Sequence, residues 1–394
     1  MTVHELSTRV SHDIPFSRPF RTAGELRNLV AVLDSDHAHG DGAFTRSASI
    51  RLQALTDANR VLLTTSCTHA LEMTIRLLEI GPGDEVILPS FTFPSAANAV
   101  ALAGARILFV DIDPATGNID PQQVEEAVSP RTKAISVMHY GGVPVDIESI
   151  MSIGEEWGIP VIEDNAHGLA VRVEGSGRAL GSFGAVATQS FHDTKNLHCG
   201  EGGALLINDP SLVEKAEILR EKGTNRSQFL RGEADRYSWV ALGSSYLMSE
   251  FNAAVLDAQL EEFHPIQARR FAIWNRYFSE MADWADENGV RRMDPPHGVH
   301  AAHLFYLMMP DWESQSLLIT HLQRHGARAA FHYVPLDSSP AGIQFGRVLK
   351  PLTHSEDFSR RIVRLPLWAG MTDDEVSRVI AGVTSYRQQL VNRA

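Results

Sequence analysis

Between Leu62 and Ile162 the chain alternates short apolar runs with amphipathic segments, and this alternation restricts its fold more than any other feature. Thr68 to Leu78 carries Leu71, Ile75 and Leu78 at helical spacing and is closed by Gly81-Pro82-Gly83. Glu85-Val86-Ile87-Leu88 reads as a buried strand, Ser95 to Leu102 as a helix, Arg106 to Val110 as a strand and Pro121 to Val128 as a helix. Ala134 to Met138, Ile147 to Trp157 and Ile159 to Ile162 continue the series as strand, helix and strand. Parallel strands need a crossover to join them, and a helix supplies it. The pattern therefore predicts right-handed βαβ units in a mainly parallel sheet, an α/β fold.

After about Glu262 the texture changes. Arg269 to Trp284 reads as one long helix, with strand candidates at Leu304 to Met308 and Ala329 to Tyr333. The expected organisation is an N-terminal arm and packing segment (1–55), a large three-layer αβα domain (56–262) and a smaller α+β domain (263–394).

Composition excludes several function classes. Across 394 residues, 44% hydrophobic and 21% charged content describes a globular chain, not a disordered one. The apolar run Ala96 to Val110 is short and interrupted by Arg106, so no membrane span is expected. Met1-Thr2-Val3-His4-Glu5 carries an acid and no apolar core, unlike a secretory signal. With only Cys67 and Cys199, a disulfide framework is not expected and a reducing cytoplasm is. A net charge of -13 argues against a nucleic-acid surface but leaves room for a small anionic substrate held by a few arginines. Seventeen histidines include no convincing metal-ligand spacing; His37 and His39 merely flank Ala38 in a glycine-rich loop, and no metal is expected.

The chemistry concentrates around Lys195, one of five lysines in a chain with thirty arginines. It lies in Ser190-Phe191-His192-Asp193-Thr194-Lys195-Asn196, just before Gly200-Glu201-Gly202-Gly203. An amine among such neighbours is a nucleophile if its pKa is lowered; the alternative is an ordinary surface lysine. Upstream, Thr65-Ser66-Cys67-Thr68 opens a helix with hydroxyl groups, where free N–H groups and the dipole suit a phosphate, or where Ser and Thr simply cap. Glu163-Asp164-Asn165-Ala166-His167 follows a strand, at the carboxyl edge where α/β folds bind ligands, although an Asp there also serves as a cap. A phosphate cradle, an Asp and then a lysine, in that order, meet the needs of pyridoxal phosphate: the lysine forms its Schiff base, the Asp keeps the pyridine nitrogen protonated, and the N–H groups hold its phosphate. A dinucleotide site is excluded because the glycines around Gly200 lack the G-x-G-x-x-G spacing after an early strand.

The same residues resemble the DegT/DnrJ family of sugar aminotransferases, of fold type I among pyridoxal-phosphate enzymes. The matching segments include Gly40-Asp41-Gly42, Thr65 to Thr68, Gly81 to Ile87, Pro89 to Phe93, Val161 to Asp164, Ser190 to Asn196 and Gly200 to Gly203. Within the family, Glu221 to Phe229, Gly243 to Ser249 and Phe331 to Leu336 are similar to the TDP-4-amino-4,6-dideoxygalactose transaminases. The resemblance implies that Lys195 carries the cofactor and shuttles the proton, with Asp164 as partner of the pyridinium nitrogen. It implies that His167 stands near the phenolic oxygen, that Phe93 stacks on the ring, and that Cys67, Thr68 and Ser190 contact the phosphate. It further implies a homodimer with shared active sites and amine transfer from L-glutamate to C4 of a TDP-4-keto-6-deoxyhexose. That product serves antibiotic or surface-polysaccharide synthesis. Arg226, Arg231 and His332 are candidates for holding the nucleotide sugar, or are surface or interface residues. Many members place an Asn reaching the partner's phosphate where this chain has Leu247; the contact moves to Ser244 or Ser245, or is absent. Sugar dehydratases on this scaffold replace the lysine by histidine, so Lys195 favours transamination. Amination at C3, dehydration and a non-catalytic cofactor-binding regulator are the alternatives.

Overall fold

The computed structural model describes residues 13–387, so the reading of Met1 to Glu5 and the first part of the expected arm lie outside the described residues. Eleven strands are present among them: β1 (Arg60–Thr64), β2 (Glu85–Pro89), β3 (Arg106–Val110), β4 (Thr132–Met138), β5 (Val161–Asp164), β6 (Val186–Ser190), β7 (Gly203–Ile207), β8 (Arg291–Arg292), β9 (Phe305–Met308), β10 (Gly346–Val348) and β11 (Ile362–Leu365). Eight form one sheet in the order β1-β7-β6-β5-β4-β2-β3-β10, and three form a second in the order β11-β9-β8. In the large sheet β7 pairs antiparallel with both β1 and β6, while the other pairs are parallel. The small sheet is antiparallel.

The three-layer build follows from the pleat. Successive side chains of a strand face opposite sides, so each apolar run feeds two cores. Val86, Leu88, Ile107, Phe109 and Ala134 pack with the helices Cys67–Leu77 and Pro94–Leu102. Their neighbours Ile87, Leu108, Val110, Ile135 and Val137 pack on the other face, with Val124, Ile147, Ile150 and Ile153 of the helices Pro121–Ala127 and Ile147–Trp157. Each fully buried aliphatic side chain contributes about 1.5–3 kcal/mol, which makes both faces of the sheet obligatory core.

Three expectations need correction. The strand expected at Ile159 to Ile162 is shifted to Val161–Asp164. Pro160 lacks an N–H for the ladder, and Gly158 ends the preceding helix in the left-handed region at φ 63°. Glu163 extends the strand because its buried carboxylate accepts from His139 Nε2 at 3.0 Å and from the amides of Gly181, Phe183 and Gly184 at 2.8, 2.7 and 2.7 Å. Burial pushes the Glu163 carboxyl up, but His139 and these amides outweigh it and hold the group below the usual range. The helix expected from Arg269 to Trp284 is two helices, Phe263–Glu280 and Ala282–Glu287, meeting at Met281. Pro265 falls in the first turn, where its missing N–H breaks no intrahelical bond, so the helix starts before it. The segment Ala329 to Tyr333 makes only one bridge, Ala330 to Arg364. It then leaves β11 to cross toward β2, where the Leu336 amide donates to the Ser90 carbonyl at 3.0 Å and Ser90 Oγ bonds Asp337 Oδ1 at 2.5 Å. That crossing carries His332 and Tyr333 over the carboxyl edge of the large sheet. Finally, β7, β8, β10 and β11 were not anticipated; β10 joins the edge of the large sheet by pairing with β3.

Candidate active site

A cavity of about 530 Å³ opens at the carboxyl ends of the parallel strands. It is lined by Met138 of β4, Asp164 of β5, Ser190 of β6, the turn Ser66-Cys67-Thr68 after β1, and Phe93 and Ser95 after β2. Parallel strands of an α/β sheet end together, so residues far apart in sequence meet there. His303, His332, Tyr333 and Arg364 close the opposite wall.

Lys195 stands on the connection between β6 and β7. The backbone of that connection is fixed by Phe191 N–H to Gly202 O (2.9 Å), Asp193 N–H to Gly200 O (3.1 Å) and Lys195 N–H to His192 O (2.9 Å). The half-buried Lys195 lines the cavity, and its Nζ has no hydrogen-bond partner among the described residues. Burial lowers its pKa most; the Asp164 carboxylate pulls it back up, and the Arg364 charge adds to the lowering. A larger share of neutral amine results, which is the form able to attack a carbonyl or take a proton.

Asp164 is buried at the end of β5, with Oδ1 accepting from the Ala166 amide at 3.1 Å. Burial raises its pKa, while the Ala166 amide and the Lys195 charge oppose the rise. A cationic partner in the cavity would favour its ionised form. Burial, followed by the charge of Asp164, pushes the Cys67 thiol well above its ordinary value, so it stays protonated. Ser66 caps the helix Cys67–Leu77 by accepting from His69 N–H at 3.1 Å. The amides of Cys67 and Thr68 have no intrahelical acceptor and sit at the positive end of the helix. Thr68 Oγ1 bonds Ser95 Oγ at 2.8 Å, and Ser190 Oγ lies 3.5 Å from the His192 amide. The turn is held close to β7 because Gly203 has no side chain: a Cβ there would fall 2.3 Å from Cys67 N.

His167 accepts the Gly141 amide on Nδ1 at 3.2 Å and stacks on His303 with ring centroids 4.0 Å apart. Burial, then the charge of Lys195, keeps its pKa well below the usual range, so the ring is neutral and Nε2 carries the proton. His303 is fixed from two sides. Asn196 Oδ1 meets its Nδ1 at 2.8 Å, and Arg270 donates to the carbonyls of Ala302 and His303 at 3.0 and 2.6 Å. Burial first, then Lys195, also keep His303 neutral. His332 bonds Tyr140 Oη through Nδ1 at 3.1 Å, and burial lowers its pKa most, with Arg364 next. Phe93 is 54% exposed although it lines the cavity, leaving its ring available for stacking.

The cavity thus brings together Cys67, Thr68, Phe93, Asp164, His167, Ser190, Lys195 and His332 from the sequence reading. It does not include Arg226 and Arg231, whose guanidinium groups pair with Glu221 at 3.0 Å and Glu217 at 2.8 Å. Ser244, Ser245 and Leu247 also lie outside its lining; Leu247 bridges Thr64 of β1. Sequence reasoning missed Ser95, His303, Tyr333 and Arg364. Arg364 did carry a signal, as a lone charge inside the apolar run Ile362-Val363-Arg364-Leu365.

The sheet order and this cavity define an α/β fold of the type I pyridoxal-phosphate aminotransferase class. The sequence profile of the DegT/DnrJ/EryC1/StrS aminotransferase family matches residues 21–384, and the chain belongs to that family. Among solved structures it is similar to the aminotransferase TlmJ from Streptoalloteichus hindustanus, with 31% identity over 94% of this chain and 98% of that one and a TM-score of 0.86. It is also similar to Spr1654 of Streptococcus pneumoniae, a sugar aminotransferase candidate solved in pyridoxamine-phosphate, pyridoxal-phosphate and apo forms. The match to the pyridoxamine-phosphate form has 26% identity, covers 94% and 98% of the two chains and gives a TM-score of 0.86. A third, 3-amino-5-hydroxybenzoic acid synthase, has 26% identity over 93% and 97% of the chains and a TM-score of 0.84.

Proposed function

We propose that this aminotransferase binds pyridoxal phosphate and moves the amine of L-glutamate to C4 of a TDP-4-keto-6-deoxyhexose, giving a galacto or gluco TDP-4-amino-4,6-dideoxyhexose. The observation that carries the reading is the unpartnered Lys195 amine sharing one cavity with Asp164 and an open helix N-terminus. The residues fit the cofactor: an amine without a partner, a buried carboxylate whose ionised form needs a cation, a free aromatic face on Phe93, and amides suited to a phosphate.

When bound, pyridoxal phosphate supplies a carbonyl for amine exchange and a ring that accepts electrons from the donor carbon. The amides of Cys67 and Thr68, with Thr68 and Ser190 hydroxyls, hold the phosphate group. Asp164 accepts the N–H of the pyridine nitrogen. The neutral His167 offers Nε2–H to an oxygen, and Phe93 covers one face of the ring. Lys195 Nζ would act as the base that takes the proton at Cα of glutamate and, in the second half-reaction, as the acid that gives a proton to C4 of the sugar. His332, on the far wall beside Tyr140, is a contact for the sugar.

The TDP and C4 assignment is supported by the likeness of Glu221 to Phe229, Gly243 to Ser249 and Phe331 to Leu336 to that branch of the family. A homodimer is part of the reading. Exposed Phe229, Leu230, Tyr237, Trp239, Val240 and Leu242 cluster in one stretch, as an interface would require. Arg226 and Arg231 contact the nucleotide in this reading only across such an interface, because they lie outside their own chain's cavity. A cytoplasmic enzyme is proposed; no helix among the described residues is long and apolar enough to cross a membrane.

The test is incubation of the holoenzyme with glutamate and TDP-4-keto-6-deoxyglucose. The reading expects 2-oxoglutarate and a 4-amino sugar, and the coupling to H4 distinguishes galacto from gluco product. Amine at C3, loss of water without amination, or no turnover would favour the 3-aminotransferase, dehydratase or regulator alternatives respectively.

A further inference from the structure

The wall of the cavity opposite the helix N-terminus holds a second cation that the proposed chemistry leaves unused. Arg364 projects from β11, next to Leu365 and Leu367, and lines the same cavity as Lys195. Its backbone is fixed on both sides: Arg364 N–H donates to Ala330 O at 2.7 Å and Ala330 N–H to Arg364 O at 3.1 Å. The guanidinium lies 4.6 Å from the centre of the Phe16 ring. Among the described residues the one acceptor its side chain meets is the Phe331 carbonyl, 3.3 Å from Nη2. Nε is buried without a partner, and no carboxylate among the described residues pairs with the group. A half-buried cation whose Nε is left short of an acceptor is costly unless something supplies one.

We infer that Arg364 is the receptor for the carboxylate of the amino donor, its planar fork taking the two oxygens of that group in the cavity. The shared chemistry is a substrate oxyanion, which could come from the donor's carboxylate or from the diphosphate of a nucleotide sugar. Placement favours the carboxylate. It is bonded directly to the carbon whose proton Lys195 removes, whereas the diphosphate hangs on C1, across the sugar ring from C4. Arg364 is near enough to Lys195 for its charge to act on that amine. The surrounding His167, His303 and His332 are all held neutral, so the permanent positive charge on this wall is that of Arg364. A guanidinium stacked on an aromatic ring is pre-oriented for bidentate pairing, which a lysine ammonium cannot reproduce.

This inference rests on the aminotransferase reading but is tested apart from turnover. The probes are glutarate, a dicarboxylate without an amine, and thymidine diphosphate, each titrated by calorimetry into wild-type, Arg364→Gln and Arg364→Lys holoenzyme. Glutarate should bind the wild type and lose about tenfold or more in affinity with Arg364→Gln, the loss of a charge-assisted pair. Arg364→Lys should fall between them, and it carries the test if the Gln variant does not fold. Thymidine diphosphate should change by less than about twofold. The inference is overturned if glutarate binds all three proteins alike, if the wild type does not bind it, or if thymidine diphosphate is the ligand lost. Failure of glutamate to aminate any sugar in the wild type would instead remove the proposed function, and leaves the glutarate result to speak for Arg364 alone.

Discussion

Gly203→Ala should damage both the fold and the cofactor cradle, because Gly203 is where the two meet. It begins β7 and is paired with Thr64 of β1 and Ser190 of β6. A Cβ at this position would lie 2.3 Å from Cys67 N, 2.3 Å from Ser66 C and 2.6 Å from Ser66 O. Non-bonded heavy atoms prefer about 3.5–4 Å, so the turn or the strand must move by roughly 1 Å. Overpacking of this kind costs about 1–3 kcal/mol. The upper end applies here, since the atoms in the way are backbone. Moving the Cys67 amide also spoils a hydrogen bond to a charged phosphate, worth about 1.5–3 kcal/mol, or about tenfold or more in affinity. The neighbouring Gly200 supplies the control. It has φ +81° and nothing within 4 Å of its Cβ position, so Gly200→Ala costs about 1–2 kcal/mol of backbone strain without entering the cradle. Urea unfolding of the apo proteins and fluorescence titration with pyridoxal phosphate read the two effects separately. Both variants should lose stability, and only Gly203→Ala should lose cofactor affinity. Unchanged stability in Gly203→Ala, or equal cofactor binding by the two variants, would refute the reasoning.

Asp164→Asn removes a carboxylate whose ionisation burial opposes. The apo variant should be at least as stable as the wild type at neutral pH, while turnover falls by about 10²-fold or more; a destabilised apo variant in urea unfolding would contradict this. Acid should weaken the fold through its neutral buried histidines, because burial holds His167 well below its usual range and His300 at about 4. Their unfolded value is about 6.5, so the unfolded chain binds the extra protons, and stability falls as pH drops below that value by about 1.4 kcal/mol per pH unit for each histidine. Asp164, raised by burial, works in the opposite sense where the folded state takes up its proton first. His300→Gln should lower the acid slope by about one histidine's share, as measured by urea unfolding across about pH 5 to 7. Arg270→Met leaves the Ala302 and His303 carbonyls without their donor. It should reduce the unfolding free energy by about 2 kcal/mol or more, and an unchanged urea midpoint would contradict that.

The parts of the fold written in local pattern were the legible parts. The strands β2, β3 and β4 and the helices between them are set by apolar runs and turn residues within a few positions, so their ends were anticipated to within two residues or better. β10 was hidden because three residues, Gly346–Val348, are too few to show a period, and their partner Ile107–Phe109 lies far back in the chain. Pro265 concealed the start of a helix because proline is tolerated in a first turn, although it reads as a breaker. In the site, Lys195, Asp164 and the Ser66 turn were visible because each sits where a strand gives way to a loop. His303, Tyr333 and Arg364 come from the far side of the cavity. Their positions depend on long-range ties such as Ser90 to Leu336 and Asp337, and Arg270 to His303, which no local spacing encodes.

The central claim is that Lys195 is the amine that carries the cofactor. Borohydride treatment of the holoenzyme, followed by peptide mass analysis, tests it directly, because the chain offers only Lys133, Lys215, Lys222 and Lys350 as alternatives. A phosphopyridoxyl adduct confined to the peptide containing Lys195, and absent from Lys195→Ala, is the predicted result. An adduct on any of the other four lysines, or none on a protein that still turns over, would contradict the account.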